Sequence, residues 1–320
     1  MSALRLGTRK SPMAIAQSLQ VARAITATSG REVELVGMST YGDASAAQLA
    51  QIGGTGVFVS GLRSSLLAGE VDLAVHSLKD LPTLPTEGIV LAAVPPRDDP
   101  RDALAARNGA KLADLPSAAR IGTGSPRRAA QLLMLRPDLV PVPVRGNAGT
   151  RLSKVTSGEL DAVVLAYAGL VRIDRVDAVS QIFEVEEMLP LPGQGALAVE
   201  IRSDRDDLAA LLARVDDPVS RAATTAERSL LAALQAGCLA PVGGYAAGTD
   251  VVRLDAIVVA ADGGTALRGS TQGPADQADR LGRELATDLL RRGAGRYTSV
   301  SAGSDGNASG GPISNGDGDS

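Results

Sequence analysis

The chain has no tryptophan, two phenylalanines and four tyrosines in 320 residues. Its core must therefore be built from Ala, Val, Leu and Ile, and stacking platforms for single-stranded nucleic acid are not expected. One cysteine removes any disulfide framework, and with one histidine it removes the zinc clusters of ordinary spacing. A Ser–His–Asp triad could run only through His76. Lysine is scarce as well: Lys10, Lys79, Lys111 and Lys154 are four of the 32 basic residues, and the other 28 are arginine. No long apolar run is present. Ala44–Leu62 and Ser229–Thr249 are uncharged, but Gly, Ser, Gln or Pro break both before they make a membrane span. The start, MSALRLGTRKSP, lacks the apolar segment of a secretory signal, so the chain reads as cytoplasmic with no membrane partner.

What is present is ordinary for a globular chain of two or three domains: 44% hydrophobic and 21% charged residues. The net charge of −4 includes Asp305, Asp317 and Asp319 in a Gly/Ser-rich tail over 299–320, which reads as disordered. Without the tail, 32 bases face 33 acids. That near-neutral body argues against nucleic-acid binding. No extra apolar face is left over, so a monomer is expected.

Short apolar runs alternate with helical patterns, which predicts an α/β fold. Ala3–Leu6 reads as a strand, followed by a Gly7-Thr8-Arg9 loop and a helix started by Ser11-Pro12. Glu32–Ser39, Leu73–His76 and Ile89–Val94 read as strands, and Pro95–Asp102 as a linker. The plan then repeats. Arg120–Ile121 leads into Gly122-Thr123-Gly124-Ser125-Pro126, and Gly158-Glu159-Leu160-Asp161 echoes Gly69-Glu70-Val71-Asp72. Two similarly built lobes are predicted: 1–95 with 196–215, and 101–190. A smaller α/β domain over 218–298 follows, with helices at Pro218–Gln235 and Asp276–Arg291 and strands at Val251–Val259 and Thr265–Gly269.

The Ser-Pro turns place N–H groups and hydroxyls at helix N-termini, where anions are favoured. Arg9, Arg127, Arg128, Arg145, Arg151 and Arg172 cluster around such turns and loops. Guanidinium groups match carboxylates bidentately, so the set suits a ligand with several carboxylates. A phosphate ligand fits the spacing nearly as well, and any single arginine is as readily a solvated ion-pair partner. Asp80 follows an apolar strand, where ligands bind in open α/β sheets; it could act as a general acid/base or stabilise a developing cation, but position alone favours a turn aspartate before a Pro-containing loop. His76 reads as a packed strand residue. Cys238, on a Gly-flanked loop, is either an inert small side chain or an accessible attachment point. Gln194, in Pro192-Gly193-Gln194-Gly195, sits at a hinge, a cleft wall or a plain loop.

Taken in order, LGTR with Ser11-Pro12, VDLAVHSLKDLP over 71–82, IGTGSPRR over 121–128, VRGNAGTRL over 144–152, LPLPGQGA over 189–196 and ERSLLAALQAGCLAPVG over 227–243 resemble the porphobilinogen deaminase (hydroxymethylbilane synthase) family. The resemblance implies three domains, the first two like a type II periplasmic binding protein. It implies a transferase of tetrapyrrole and haem biosynthesis that joins four porphobilinogen molecules head to tail with loss of ammonia. It also implies a dipyrromethane cofactor held by a thioether to Cys238. Asp80 takes the catalytic role of balancing positive charge at pyrrole nitrogens. Ser77, Lys79, Thr123, Ser125, Arg127, Arg128 and Arg151 match cofactor-contacting positions. Arg9, Ser11, Arg145, Arg172 and Gln194 match substrate-contacting ones. No metal is implied. Three features depart from the pattern: Gly53–Leu62 lacks the lysine of a common FVKE segment and has Gly61 for its glutamate, Ser125-Pro126 replaces a common Ser-Leu, and the tail has no counterpart. A non-catalytic two-lobed anion-binding protein is the rival reading; it needs the arginines but neither Asp80 nor Cys238.

Overall fold

A computed structural model describes residues 2–38, 56–237 and 240–298. The first lobe holds β1 (Leu4–Arg9), α1 (Pro12–Ser29), β2 (Val33–Met38), α2 (Gly56–Leu67), β3 (Leu73–Ser77) and β4 (Ile89–Ala93). The chain then enters the second lobe through β5 (Asp102–Ala106), β6 (Arg120–Thr123), α3 (Pro126–Leu135), β7 (Val140–Pro143), α4 (Ala148–Thr156), β8 (Ala162–Ala166), α5 (Tyr167–Arg172) and β9 (Gln181–Ile182). It returns as β10 (Leu197–Arg202), followed by α6 (Asp206–Leu212) and α7 (Pro218–Ala233). The last unit adds β11 (Val242–Ala247), β12 (Val251–Val259), β13 (Ala266–Pro274), α8 (Ala278–Arg291) and α9 (Gly295–Thr298).

The two lobes share one plan. Their sheets run β2-β1-β3-β10-β4 and β7-β6-β8-β5-β9. In each, three parallel strands are followed by one antiparallel strand: β10 against β3, and β5 against β8. The sequence echoes have matching geometry. Ser11 Oγ accepts the Ala14 N–H, and Ser125 Oγ the Arg128 N–H. Gly69 and Gly158 both take left-handed φ, +70° and +83°, which glycine adopts without a Cβ penalty. Asp72 accepts the Arg5 N–H and Asp161 the Arg120 N–H, each at 2.8 Å, so the same residue locks the same strand in each lobe.

Four readings of the sequence need correction. Gly7-Thr8-Arg9 and Gly122-Thr123 are strand, not loop. A Cβ at Gly122 would lie 2.6 Å from Leu160 Cδ1, so glycine lets the strand pass under its neighbour. Asp102, placed in the linker, opens β5. The third is β13, which runs on to Pro274, well past Gly269. Finally β7, β9 and β11 were not anticipated: prolines interrupt VPVP, two glycines interrupt VGGYAA, and β9 is only two residues long; β7, with two prolines, takes a sheet edge. In the last unit α7 and α8 cover the β11-β12-β13 sheet, burying Leu230, Leu254, Val258, Leu285 and Leu289. Among the described residues, no helix is long and apolar enough to cross a membrane.

Candidate functional site

The site lies where β3 ends. Its last residue, Ser77, is held by Gln17 Nε2 at 2.6 Å, and a single 3-10 turn, Leu78–Asp80, follows. Leu78 is fully buried and anchors this turn, so Lys79 and Asp80 project from a fixed base. A cavity of about 220 Å³ opens there between the lobes. Ser77, Lys79 and Asp80 line it from one lobe, and Arg128, Arg151 and Arg172 from the other. Met13, Leu165 and Leu170 give it apolar walls. An adjoining recess of about 120 Å³ shares Ser77 and Asp80 and adds Arg9, Ser11 and His76.

Burial raises the Asp80 carboxyl above the ordinary aspartate range, against the pull of Lys79, Arg9 and His76. Burial, reinforced by the nearby Arg128 charge, lowers the Lys79 ammonium to about 8, against Asp80 and Asp102. A carboxylate able to hold a proton thus sits beside an amine able to lose one. Around them stand fixed guanidinium groups, a setting for anionic substrates and proton transfer.

Family models match in two blocks. Residues 4–210 match porphobilinogen deaminase, dipyrromethane cofactor binding domain, and residues 222–291 match its C-terminal domain. The porphobilinogen deaminase of Thermobifida fusca is 59% identical over 93% of this chain and 96% of that protein. The chain belongs to the porphobilinogen deaminase family. Porphobilinogen deaminase 1 of Streptomyces coelicolor is 56% identical over 91% of this chain and 96% of its own length. Among solved structures, a periplasmic substrate-binding protein of Coxiella burnetii matches at 16% identity and a TM-score of 0.42, over 67% of this chain and 92% of that chain.

In this deaminase-family chain not every anticipated residue reaches the cavity. Thr123 is buried, with its hydroxyl accepting the Ser125 N–H, and Ser125 caps α3. Arg127 is 1% exposed; it donates to Asp102 Oδ2 at 2.7 Å and to the Leu189 carbonyl at 2.6 Å. Arg145 is exposed and lines neither space. Gln194, 1% exposed, reaches the site through others. Its Oε1 accepts from Lys79 Nζ at 3.2 Å and from Arg128 at 3.3 Å, and its Nε2 donates to Asp102 at 2.8 Å. Arg172 lines the cavity while paired with Asp98 at 2.8 Å. Cys238 lies outside the described residues, as do 53–55 of the lysine-free segment and the tail from 299.

Sequence reasoning missed Asp102, which is fully buried and pairs with both Arg127 and Arg128 at 2.7 Å. Two adjacent arginines at a helix start needed a buried counter-charge, and that was the available signal. It also missed Glu227, likewise fully buried, which accepts from Arg97 at 2.6 Å and from the Gly193 and Ala246 N–H groups at 2.6 and 2.8 Å. His76 is a packed strand residue whose Nε2 lies 3.2 Å from Glu200, itself held by Arg63 at 2.6 Å.

Proposed function

We propose that this chain is a porphobilinogen deaminase that condenses four porphobilinogen molecules head to tail, releasing ammonia at each addition and hydroxymethylbilane on final hydrolysis. The observation that carries the reading is one cavity shared by Asp80 and four cations, Lys79, Arg128, Arg151 and Arg172.

The donor set suits a dipyrromethane cofactor. Two pyrrole rings, each with an acetate and a propionate, bring four carboxylates, and Lys79, Arg128 and Arg151 present several fixed donors each to the cavity. Fixed guanidinium groups pair with carboxylates at low reorganisation cost. When bound, the group supplies a covalently held pyrrole whose free α-carbon accepts the next ring. Lys79, Arg128 and Arg151 would hold its carboxylates, and Arg9, Ser11 and Arg172 those of incoming substrate. Asp80 accepts pyrrole N–H groups, balances positive charge as it develops on the ring, and takes and returns a proton. Gln194 and Asp102 keep Lys79 and Arg128 in place. Thr123, Ser125 and Arg127 hold the start of α3, and Arg145 meets substrate from the loop after β7.

Attachment through Cys238 is part of the same reading, supported by the chain having no other thiol. That thiol must be reduced before attachment, which suits the cytoplasm; a monomer is the assembly this reading carries. The same reading divides the chain into 1–95 with 196–215, 101–190 and 218–298, a division supported by its three separate sheets. The test is stoichiometry. Purified chain given porphobilinogen should release one ammonia per molecule consumed and one linear tetrapyrrole per four. Binding without ammonia release would return the chain to the anion-binding reading.

A further inference from the structure

Three carbonyls around the Asp80 turn point at one side chain from another part of the chain. Arg228, on α7, donates from one terminal nitrogen to the Leu78 and Leu81 carbonyls, at 3.3 and 3.1 Å. Its other terminal nitrogen donates to the Pro82 carbonyl at 2.7 Å. The turn is a single 3-10 turn closed by the Leu81 N–H to the Leu78 carbonyl and tied to the returning chain by the Leu78 N–H to the Ala196 carbonyl. A planar guanidinium is suited to this task, because its donors are fixed in one plane.

The helix that carries Arg228 cannot slide. Glu227, the preceding residue, is fully buried and clamps the Gly193 and Ala246 N–H groups as well as Arg97. Gly193 in turn lies against the turn: a Cβ there would stand 3.1 Å from the Lys79 nitrogen. In sequence, α7 ends five residues before Cys238.

We propose that Arg228 is a positioning residue, which fixes the Lys79–Asp80 turn relative to α7 and hence to the chain segment that follows that helix. The inference rests on the deaminase reading for its catalytic consequence, but not for its structural one. Asp80 is faced by Lys79 on its own turn, Arg9 on β1 and His76 on β3, and it shares the cavity with Arg128, Arg151 and Arg172. Loosening the turn admits water to Asp80, while Lys79 travels with it on the same turn and the other charges stay on their own elements. Burial is what raises its carboxyl, so the acid limb of kcat/KM should then move to lower pH.

The test compares wild type, Arg228→Met and Arg228→Lys in the full chain, by hydrogen exchange of the peptide spanning 78–82 and by steady-state kinetics across pH. In Arg228→Met, exchange over 78–82 rises, kcat falls about 10- to 100-fold with KM changed less than about threefold, and the acid limb moves down. Arg228→Lys keeps one ammonium within reach of the carbonyls and recovers part of each effect, which also covers the case in which Met prevents folding. Wild-type exchange and acid limb in a folded Arg228→Met would overturn the proposal. So would parallel losses in thermal stability and kcat with no shift of the limb and no recovery by Lys. If wild type releases no ammonia, the deaminase reading fails, while the exchange comparison still decides whether Arg228 holds the turn.

Discussion

Asp80→Asn is expected to fold, to keep its affinity for porphobilinogen within a few-fold, and to lose about 10²–10⁴-fold in kcat. The side chain keeps its shape and one acceptor but can neither balance positive charge nor carry a proton. The sign of the stability change separates this from damage to the fold. Burial raises the Asp80 carboxyl, so above its folded titration range the ionised group destabilises the native state. Removing that charge should leave the melting temperature equal to wild type or slightly higher. A folded variant with more than a tenth of wild-type kcat would remove Asp80 from the mechanism.

The second large effect is on the fold. Asp102→Asn takes the counter-charge from Arg127 and Arg128, both buried, and leaves two guanidinium groups facing a neutral amide. Breaking a buried pair in this way costs about 3–5 kcal/mol, and in a chain of this size each kcal/mol lowers the melting temperature by roughly 2–4 °C. A fall of about 10 °C is therefore expected in thermal unfolding. KM should rise as well, because Arg128 loses its anchor at the cavity wall. Burial opposes ionisation of Asp102, but the two arginines outweigh it and hold the carboxyl at about 2. Its contribution to stability is present above the ordinary aspartate range and is lost as pH falls from about 4 to about 2. Asp102→Asn should lack that part of the acid sensitivity. A melting temperature within 2 °C of wild type would contradict this account of Asp102, since roughly 2–4 °C is what a single kcal/mol produces.

The contrast between these residues marks what the sequence could reveal. Asp80 and Lys79 were legible through the family motif over 71–82, since the strand end alone left Asp80 a turn aspartate and did not single out Lys79. Arg128 and Arg151 were legible because they follow helix starts written locally as Ser125-Pro126 and Asn147, each an N-cap. The lobe repeat was legible for the same reason: Gly69 and Gly158 end helices, and Asp72 and Asp161 then lock strands. Asp102, Gln194 and Arg228 act across 26, 115 and 150 residues of chain, respectively. Nothing near them in sequence signals their partners. Arg127 shows the converse. Its motif context pointed to the ligand, yet the residue spends its donors inward on Asp102 and the Leu189 carbonyl, while Arg128 shares Asp102 and still lines the cavity.

The central claim is that a tetrapyrrole is built on a primer held by Cys238 beside Asp80. The most direct measurement is the intact mass of the purified chain, with peptide mapping across residue 238. The account predicts added mass equal to two deaminated porphobilinogen units on Cys238, either as isolated or after incubation with porphobilinogen, and none in Cys238→Ala. An unmodified Cys238 in wild type under both conditions would contradict it.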